Sequence, residues 1–562
     1  MAPPFGFASG SSTPATSYGS ICRDNHDAGC IESVADATGL LATNNDDSVG
    51  GDEDSLFLDN QEEKQQRLLQ RVHDFSLPVN PDKAYRATQL RLLNFQRPHM
   101  RAFHCSWLCF FAAWLVWFSV APLLPYVQES LSITKQDLWT SNLWSMAGAV
   151  VLRFLLGPLC DQNGAKVILT SVLAVCAILT GSMGFLTGNS FTTFLVLRTL
   201  VGCVGGTLVP AQYWVTAHFV PAICGTTMAM VAGWGAMGGG IAQIFMGSIV
   251  FPICLQLCHD DADLAWRVAL LVPASIALLI AYLSYQYADD TPLGSVHEVQ
   301  QAGLLQARSA VDSFRAGAVN LNAWLLFLQF GAGLGIELTM ESGISVHLAE
   351  RFHLSLSQAS SLASLFGLMN IFARGLGGWI SDQMHQRYSL RGRLVIQWVF
   401  MVLEGGMIFV FCRTTTLQST LVAMVVFAML GQMSMGTCFG IVPYVDPANT
   451  GTIAGIVGAG GNVGAIWLSS VFRNASSDMA AFQVMGFFCI AMSLLTPLIV
   501  IRGYRGICFG TERAAVGQAT ATGTASNNPQ RKHRLKPLQS PLLVPRNVLV
   551  VRLGRAEESD EP

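Results

Sequence analysis

RFLLGPLCDQ (153–162) and RGLGGWISDQ (374–383) both fit the pattern R-x3-G-x3-D-Q, and both lie in apolar surroundings. Each sets an arginine two helical turns before an aspartate. Two turns rise about 11 Å. If each aspartate ends a membrane span, each arginine sits well inside a hydrocarbon core roughly 30 Å thick. A second pair of stretches echoes in the same order, AGWGAMGGG (232–240) and GAGGNVGA (458–465). Two echoes in register divide the chain into two related halves. Parallel repeats of this kind belong to transporters that hold substrate between the halves near the midplane.

Composition supports a membrane protein. The 562 residues are 51% hydrophobic and only 12% charged, against roughly 25% charged in soluble chains. Net charge is −3 and the apolar part holds no basic tract, so no nucleic-acid partner is expected. The 14 cysteines are scattered and show no CxxC spacing, which argues against a zinc site. Cys254 and Cys258 could form a disulfide or stay reduced as packing residues. Metal-ligand spacings, nucleophile–base arrangements and cofactor motifs are lacking, so the chain reads as no enzyme and as needing no metal or cofactor.

Runs long enough to span a bilayer recur near 105–125, 138–159, 166–186, 192–214, 224–250 and 267–287. They resume near 322–345, 358–380, 394–412, 418–442, 452–472 and 482–501. The expected fold is an all-α membrane protein with twelve transmembrane helices in two six-helix repeats. Residues 1–95 read as a disordered cytosolic region, because residues 8–60 are too polar to build a core. A six-helix bundle over 96–288 follows, then a central cytoplasmic loop over 289–320. A second bundle covers 321–505, and a disordered cytosolic tail covers 506–562. Arg86, Arg91, Arg97, Arg101, Lys166, Arg308, Arg315, Arg387, Arg391, Arg393, Arg502 and Arg505 fall in one set of loops. That set is expected on the cytoplasmic side, which places both termini there.

Arg153 and Arg374 are the sharpest functional signal. A charge at mid-membrane costs a few kcal/mol and marks a functional site. As repeat mates the two would face each other across a central cavity. A guanidinium presents a planar fork of donors suited to a planar oxyanion, and nitrate has that shape and a single charge. The competing reading pairs each arginine with a buried carboxylate, for which the spans offer Glu337, Glu341 and Glu404. Gly233, Gly235, Gly238 and Gly239 on span 5, with Gly458, Gly461 and Gly464 on span 11, let helices approach closely. Such glycines serve packing, or bring backbone near a substrate. Asn462 could donate to an anion or join two helices. Tyr213 and Phe330 are aromatic candidates for the cavity wall. Gly157 and Asp161, with Gly378 and Asp382, are expected to link helix ends and gate the inner side. Glu337 is the candidate proton carrier or, equally, a structural hydrogen-bonding group.

Taken together, these motifs resemble the nitrate/nitrite porter family of the major facilitator superfamily, nearest the high-affinity nitrate transporters of plants, algae and fungi. AGWGAMGGG is similar to the family's first signature and GAGGNVGA to its second. FGLMNIFARGLGGWISDQ (366–383) and FGIVPYV (439–445) are similar to its spans 8 and 10. The resemblance covers roughly residues 95–505. It implies that Arg153 and Arg374 clamp nitrate and that Asn462 belongs to the site. Ala236 stands where the family's first signature usually has asparagine. The resemblance also implies proton symport, with sodium as the other coupling ion, and nitrite as a second cargo. A single-span accessory protein, as some members use, and a plasma-membrane location are the remaining expectations. A nitrate/nitrite exchanger and a nitrate sensor with little flux are the alternative functions.

Overall fold

A computed structural model describes residues 63–186, 191–302, 309–354 and 356–510. Among them, eleven stretches are long and apolar enough to cross a bilayer. Span 1 is His99–Leu123, span 2 Thr140–Asn163, span 3 Ala165–Met183 and span 4 Phe191–His218. Span 5 is Pro221–Leu257, span 6 Ala262–Tyr287 and span 7 Leu321–Ser345. Spans 10, 11 and 12 are Leu417–Val445, Thr450–Asn474 and Asp478–Leu498.

The remaining stretch, Ser361–Arg413, has 53 residues. As one straight helix it would be about 80 Å long, far more than a bilayer core of roughly 30 Å. Its backbone breaks at Tyr388 (φ −129°, ψ 16°) and Ser389 (φ 55°, ψ −152°). Beyond the break the chain folds back, because Arg393 reaches Ser381 at 3.2 Å and Asp382 at 2.6 Å. The stretch is therefore spans 8 and 9, and the described residues hold the expected twelve. Large apolar side chains such as Val151, Leu155, Ile178, Leu279 and Phe487 are exposed. A water-soluble surface rarely tolerates so much apolar area; lipid does.

The starts of the odd-numbered spans share one end of the bundle with Arg97, Arg101, Lys166 and Arg391. We call it the basic end. There residues 63–95, expected to be disordered, are folded, and the expected loop over 289–320 carries helices. A helix covers 63–70, and strands Val79–Asn80 and Arg86–Ala87 pair antiparallel. The connection after span 6 holds helices Val296–Gln301 and Ala310–Val319. Leu68, Leu293, Val299 and Ala302 bury one another in a small core. Arg71 donates to the Leu293 carbonyl at 3.1 Å, and Arg97 pairs with Asp289 at 3.1 Å. These apolar residues are too sparse to show as a periodic pattern, and the order of the two segments comes from long-range contacts. Residues 1–62 and the tail beyond 510 lie outside the described residues. Cys254 and Cys258 are both free thiols.

Candidate functional site

Arg374 is buried, 2% exposed. Span 8 prepares its position. A 3-10 turn, Met369–Ile371, interrupts the helix, which restarts at Ala373. Irregular backbone at membrane depth persists where protein satisfies its polar groups. Here Trp234 Nε1 donates to the Ile371 carbonyl at 2.9 Å. The turn sets Asn370 and Arg374 beside one carboxylate. Arg374 Nη2 donates to Glu337 Oε2 at 2.6 Å and to Gln432 Oε1 at 2.8 Å. Asn370 Nδ2 and Gln432 Nε2 both donate to Glu337 Oε1, at 2.7 and 2.8 Å. A buried ion pair barely repays the cost of taking its charges out of water. Stability alone does not explain an arginine and a glutamate in this place.

Arg153, 0% exposed, is held differently. Its Nε donates to the Gly205 carbonyl at 2.9 Å and its Nη1 to the Gly458 carbonyl. Its Nη2 is buried without a partner, and among the described residues no carboxylate forms a salt bridge with it. One turn beyond Gly458, Asn462 Nδ2 donates to the Met146 carbonyl at 3.3 Å, while its Oδ1 has no partner. The carboxylate-pairing reading thus holds for Arg374 and fails for Arg153.

The two glycine runs form seats for the opposite half's arginines. A Cβ at Gly458 would stand 3.6 Å from Arg153 Cδ, and one at Gly233 would stand 3.1 Å from Arg374 Cβ. Their other faces pack helices of their own half. Gly235, Gly238 and Gly239 meet Phe110 and Trp114 of span 1, while Gly461 and Gly464 meet Leu334 and Gly331 of span 7. Phe330 packs edge-on against Phe439 at 4.8 Å, with no contact to either arginine among those described. Tyr213 lies away from both arginines' hydrogen bonds and lines a chamber at the basic end.

The four residues expected to gate form two matching contacts across the halves. Asp161 of span 2 accepts from Gly451 N, Thr452 N and Thr452 Oγ1 at 2.9–3.0 Å. Asp382 of span 8 accepts from Gly225 N at 3.1 Å and from Thr226 N and Oγ1 at 2.6 and 2.5 Å. Each carboxylate thus caps the helix start of the other half, where free N–H groups favour negative charge. A Cβ at Gly157 would come within 2.6 Å of the Gly451 carbonyl, and one at Gly378 within 2.6 Å of Ala229 Cβ. Asp382 also pairs with buried Arg393 at 2.6 Å. Removing one partner of such a pair costs about 3–5 kcal/mol. Asp382→Ala is therefore expected to lower the thermal unfolding midpoint of the purified protein, with Asp382→Asn intermediate. Equal midpoints for all three proteins would contradict this.

Two polar side chains escaped the sequence reading. Asn370 and Gln432 complete the Glu337 network. The signal for them was a lone amide in each of two apolar runs, FGLMNIFA and MLGQMSM. Glu341, one turn beyond Glu337, has both carboxyl oxygens unpartnered. It lines a cavity of about 30 Å³ with Gln243, Ser345 and Ser364. Glu404 is satisfied by Ser434 Oγ at 3.0 Å. Arg198 is held by the Trp117 carbonyl and Asn142.

Twelve membrane spans among the described residues, in two repeats with an arginine from each seated on the other, are the architecture of a membrane transporter. The sequence profile of the Major Facilitator Superfamily matches residues 106–469. High affinity nitrate transporter 2.5 of Arabidopsis thaliana is 32% identical over 441 residues, covering 78% of this chain and 86% of its own. The nitrate/nitrite transporter NrtP of Picosynechococcus is 25% identical over 454 residues, covering 65% and 83%. The crystal structure of the superfamily transporter FucP superposes with a TM-score of 0.55 at 15% identity, covering 72% of this chain and 99% of that one. The chain belongs to the Major Facilitator Superfamily, in the nitrate/nitrite porter family that includes the high-affinity nitrate transporters.

Proposed function

We propose that the protein takes up nitrate by proton-coupled symport, with Arg153 and Arg374 as the anion's ligands. The observation that carries this reading is the contrast between the arginines. Arg153 has a buried Nη2 without an acceptor, and Arg374 is occupied by Glu337. Nitrate entering the site accepts from Arg153 Nη2 and competes with Glu337 for Arg374. A carboxylate displaced from its guanidinium in an apolar site takes up a proton more readily. Anion binding and protonation of Glu337 then assist each other. The empty carrier returns with Glu337 ionised against Arg374. This supports symport over nitrate/nitrite exchange, which needs no titrating group.

Energetics point the same way. An inside-negative potential of 100 mV opposes an entering monovalent anion by about 2.3 kcal/mol, and two protons per nitrate would reverse the sign. Sodium is the competing coupling ion. By the positive-inside rule the basic end is cytoplasmic, with both termini, and the membrane is the plasma membrane. Nitrite shares nitrate's charge and planar shape and is the second cargo. Asn462, with its free Oδ1, positions span 11 beside Arg153. The two aspartate caps hold the cytoplasmic side closed and part when it opens. A single-span accessory protein is the expected partner.

Nitrate-evoked current in expressing oocytes at two external pH values tests this. Inward positive current, larger at the lower pH and insensitive to sodium replacement, is the expected result. Uptake without current, or current that follows sodium, would refute proton symport. Binding without either flux or current would make the protein a sensor.

A further inference from the structure

The basic end encloses a chamber of about 470 Å³. Its walls come from both halves and from the folded segment before span 1. Lys83 and Arg86 of that segment line it, with Tyr213 of span 4, His385 of span 8 and Tyr444 of span 10. The backbone at Arg86 is fixed on both sides. Arg86 pairs with Asn80 in the hairpin, and the next residue, Ala87, bridges to Phe219 and accepts from Val220 N at 3.0 Å. The side chain is thus held at the chamber wall, where its Nε is enclosed and without a hydrogen-bond partner. Burial depresses the Arg86 guanidinium below its ordinary value. Two carboxylates line the same chamber, and both serve helix starts. Asp161 accepts from the start of span 11. Asp290 accepts from Lys166 N at 2.9 Å, and burial pushes it up to about 6.

A guanidinium drawn partly out of water favours an anion. Among the described residues no carboxylate is in hydrogen-bonding contact with Arg86, and the chamber has room for an anion. The geometry points to a second binding site here, for a small monovalent oxyanion of the nitrate class, with Arg86 as its main ligand and Lys83 adding positive charge. The choice of nitrate as probe rests on the transport reading above. The site itself is separate from Arg153 and Arg374. Its place at the basic end would make it a station between the central site and the cytosol.

The test is nitrate binding to the purified full-length protein in gluconate medium, measured by equilibrium dialysis with 15N-nitrate. Two classes of site are expected in the wild-type protein. Arg86→Gln should weaken one class by roughly tenfold or more, as loss of a charge-assisted contact implies. Arg86→Lys should retain most of that class. Arg153→Ala should remove the other class and leave this one. Thermal unfolding of each variant checks that it is folded. If folded Arg86→Gln binds nitrate like the wild type, the chamber site is refuted. If instead Arg153→Ala binds like the wild type while Arg86→Gln loses a class, the chamber stands and the central clamp fails.

Discussion

Arg374→Ala and Arg153→Ala should each abolish nitrate uptake at normal surface density. The reasons differ between the two. Truncating Arg374 takes the positive charge from beside Glu337 and leaves that carboxylate buried with only the amides of Asn370 and Gln432. A buried charge that loses its partner costs about 3–5 kcal/mol, and nitrate has no guanidinium left to take from Glu337. Anion binding and protonation then no longer depend on each other. Truncating Arg153 leaves two carbonyls, of Gly205 and Gly458, without their donor. It also removes the guanidinium that lacks a carboxylate counter-ion. At about 1.4 kcal/mol per factor of ten, either loss suffices for at least a hundredfold fall in uptake. Lysine should rescue neither position well, because a point charge cannot hold two carbonyls, or an amide and a carboxylate, with a planar fork. The measurement is isotopic nitrate uptake divided by surface-labelled protein. Near-normal uptake by either alanine variant would refute the two-arginine clamp.

The repeats and both arginines were legible because the bilayer restricts what a sequence may do. Few charges survive at membrane depth, so R-x3-G-x3-D-Q stands out in both halves. The same restriction made the span boundaries readable, even at the return between spans 8 and 9, where Tyr388 and Ser389 leave the helix. Which of the three carboxylates Arg374 touches, and through which amides, was not legible. Glu337, Asn370 and Gln432 sit on spans 7, 8 and 10 and meet in space, Asn370 from the break at Met369–Ile371. No spacing along one helix encodes that meeting. The glycine runs illustrate the same limit. Their smallness announced close packing, but not that Gly233 and Gly458 receive the arginines while their neighbours receive spans 1 and 7. The folded segment over 63–98 was hidden because its order comes from a few long-range contacts, such as Arg71 with Leu293 and Ala87 with Val220.

Glu337→Gln should uncouple anion binding from protons while leaving the protein folded. The network can absorb the amide. Glu337 now accepts on both oxygens, from Arg374 on one and from Asn370 and Gln432 on the other. An amide oxygen can keep the contact with Arg374. Its NH2 then faces Asn370, whose Oδ1 has no partner and becomes the acceptor once that side chain flips. Shape survives, the contact from Gln432 Nε2 is the one hydrogen bond given up, and the titratable group is gone. Nitrate then competes with a neutral amide for Arg374, where before it competed with a carboxylate. Its affinity should rise, and it should no longer depend on external pH. Net uptake should fall severely, because no proton enters with the anion and the empty carrier returns with Arg374 uncompensated. Exchange of nitrate for nitrate never requires the empty carrier to return, so it should persist near the wild-type rate. Uptake and exchange measured in the same reconstituted vesicles at two pH values separate these outcomes. Net uptake that keeps its wild-type rate and pH dependence would move the proton carrier away from Glu337, and Glu341 would be the next residue to replace.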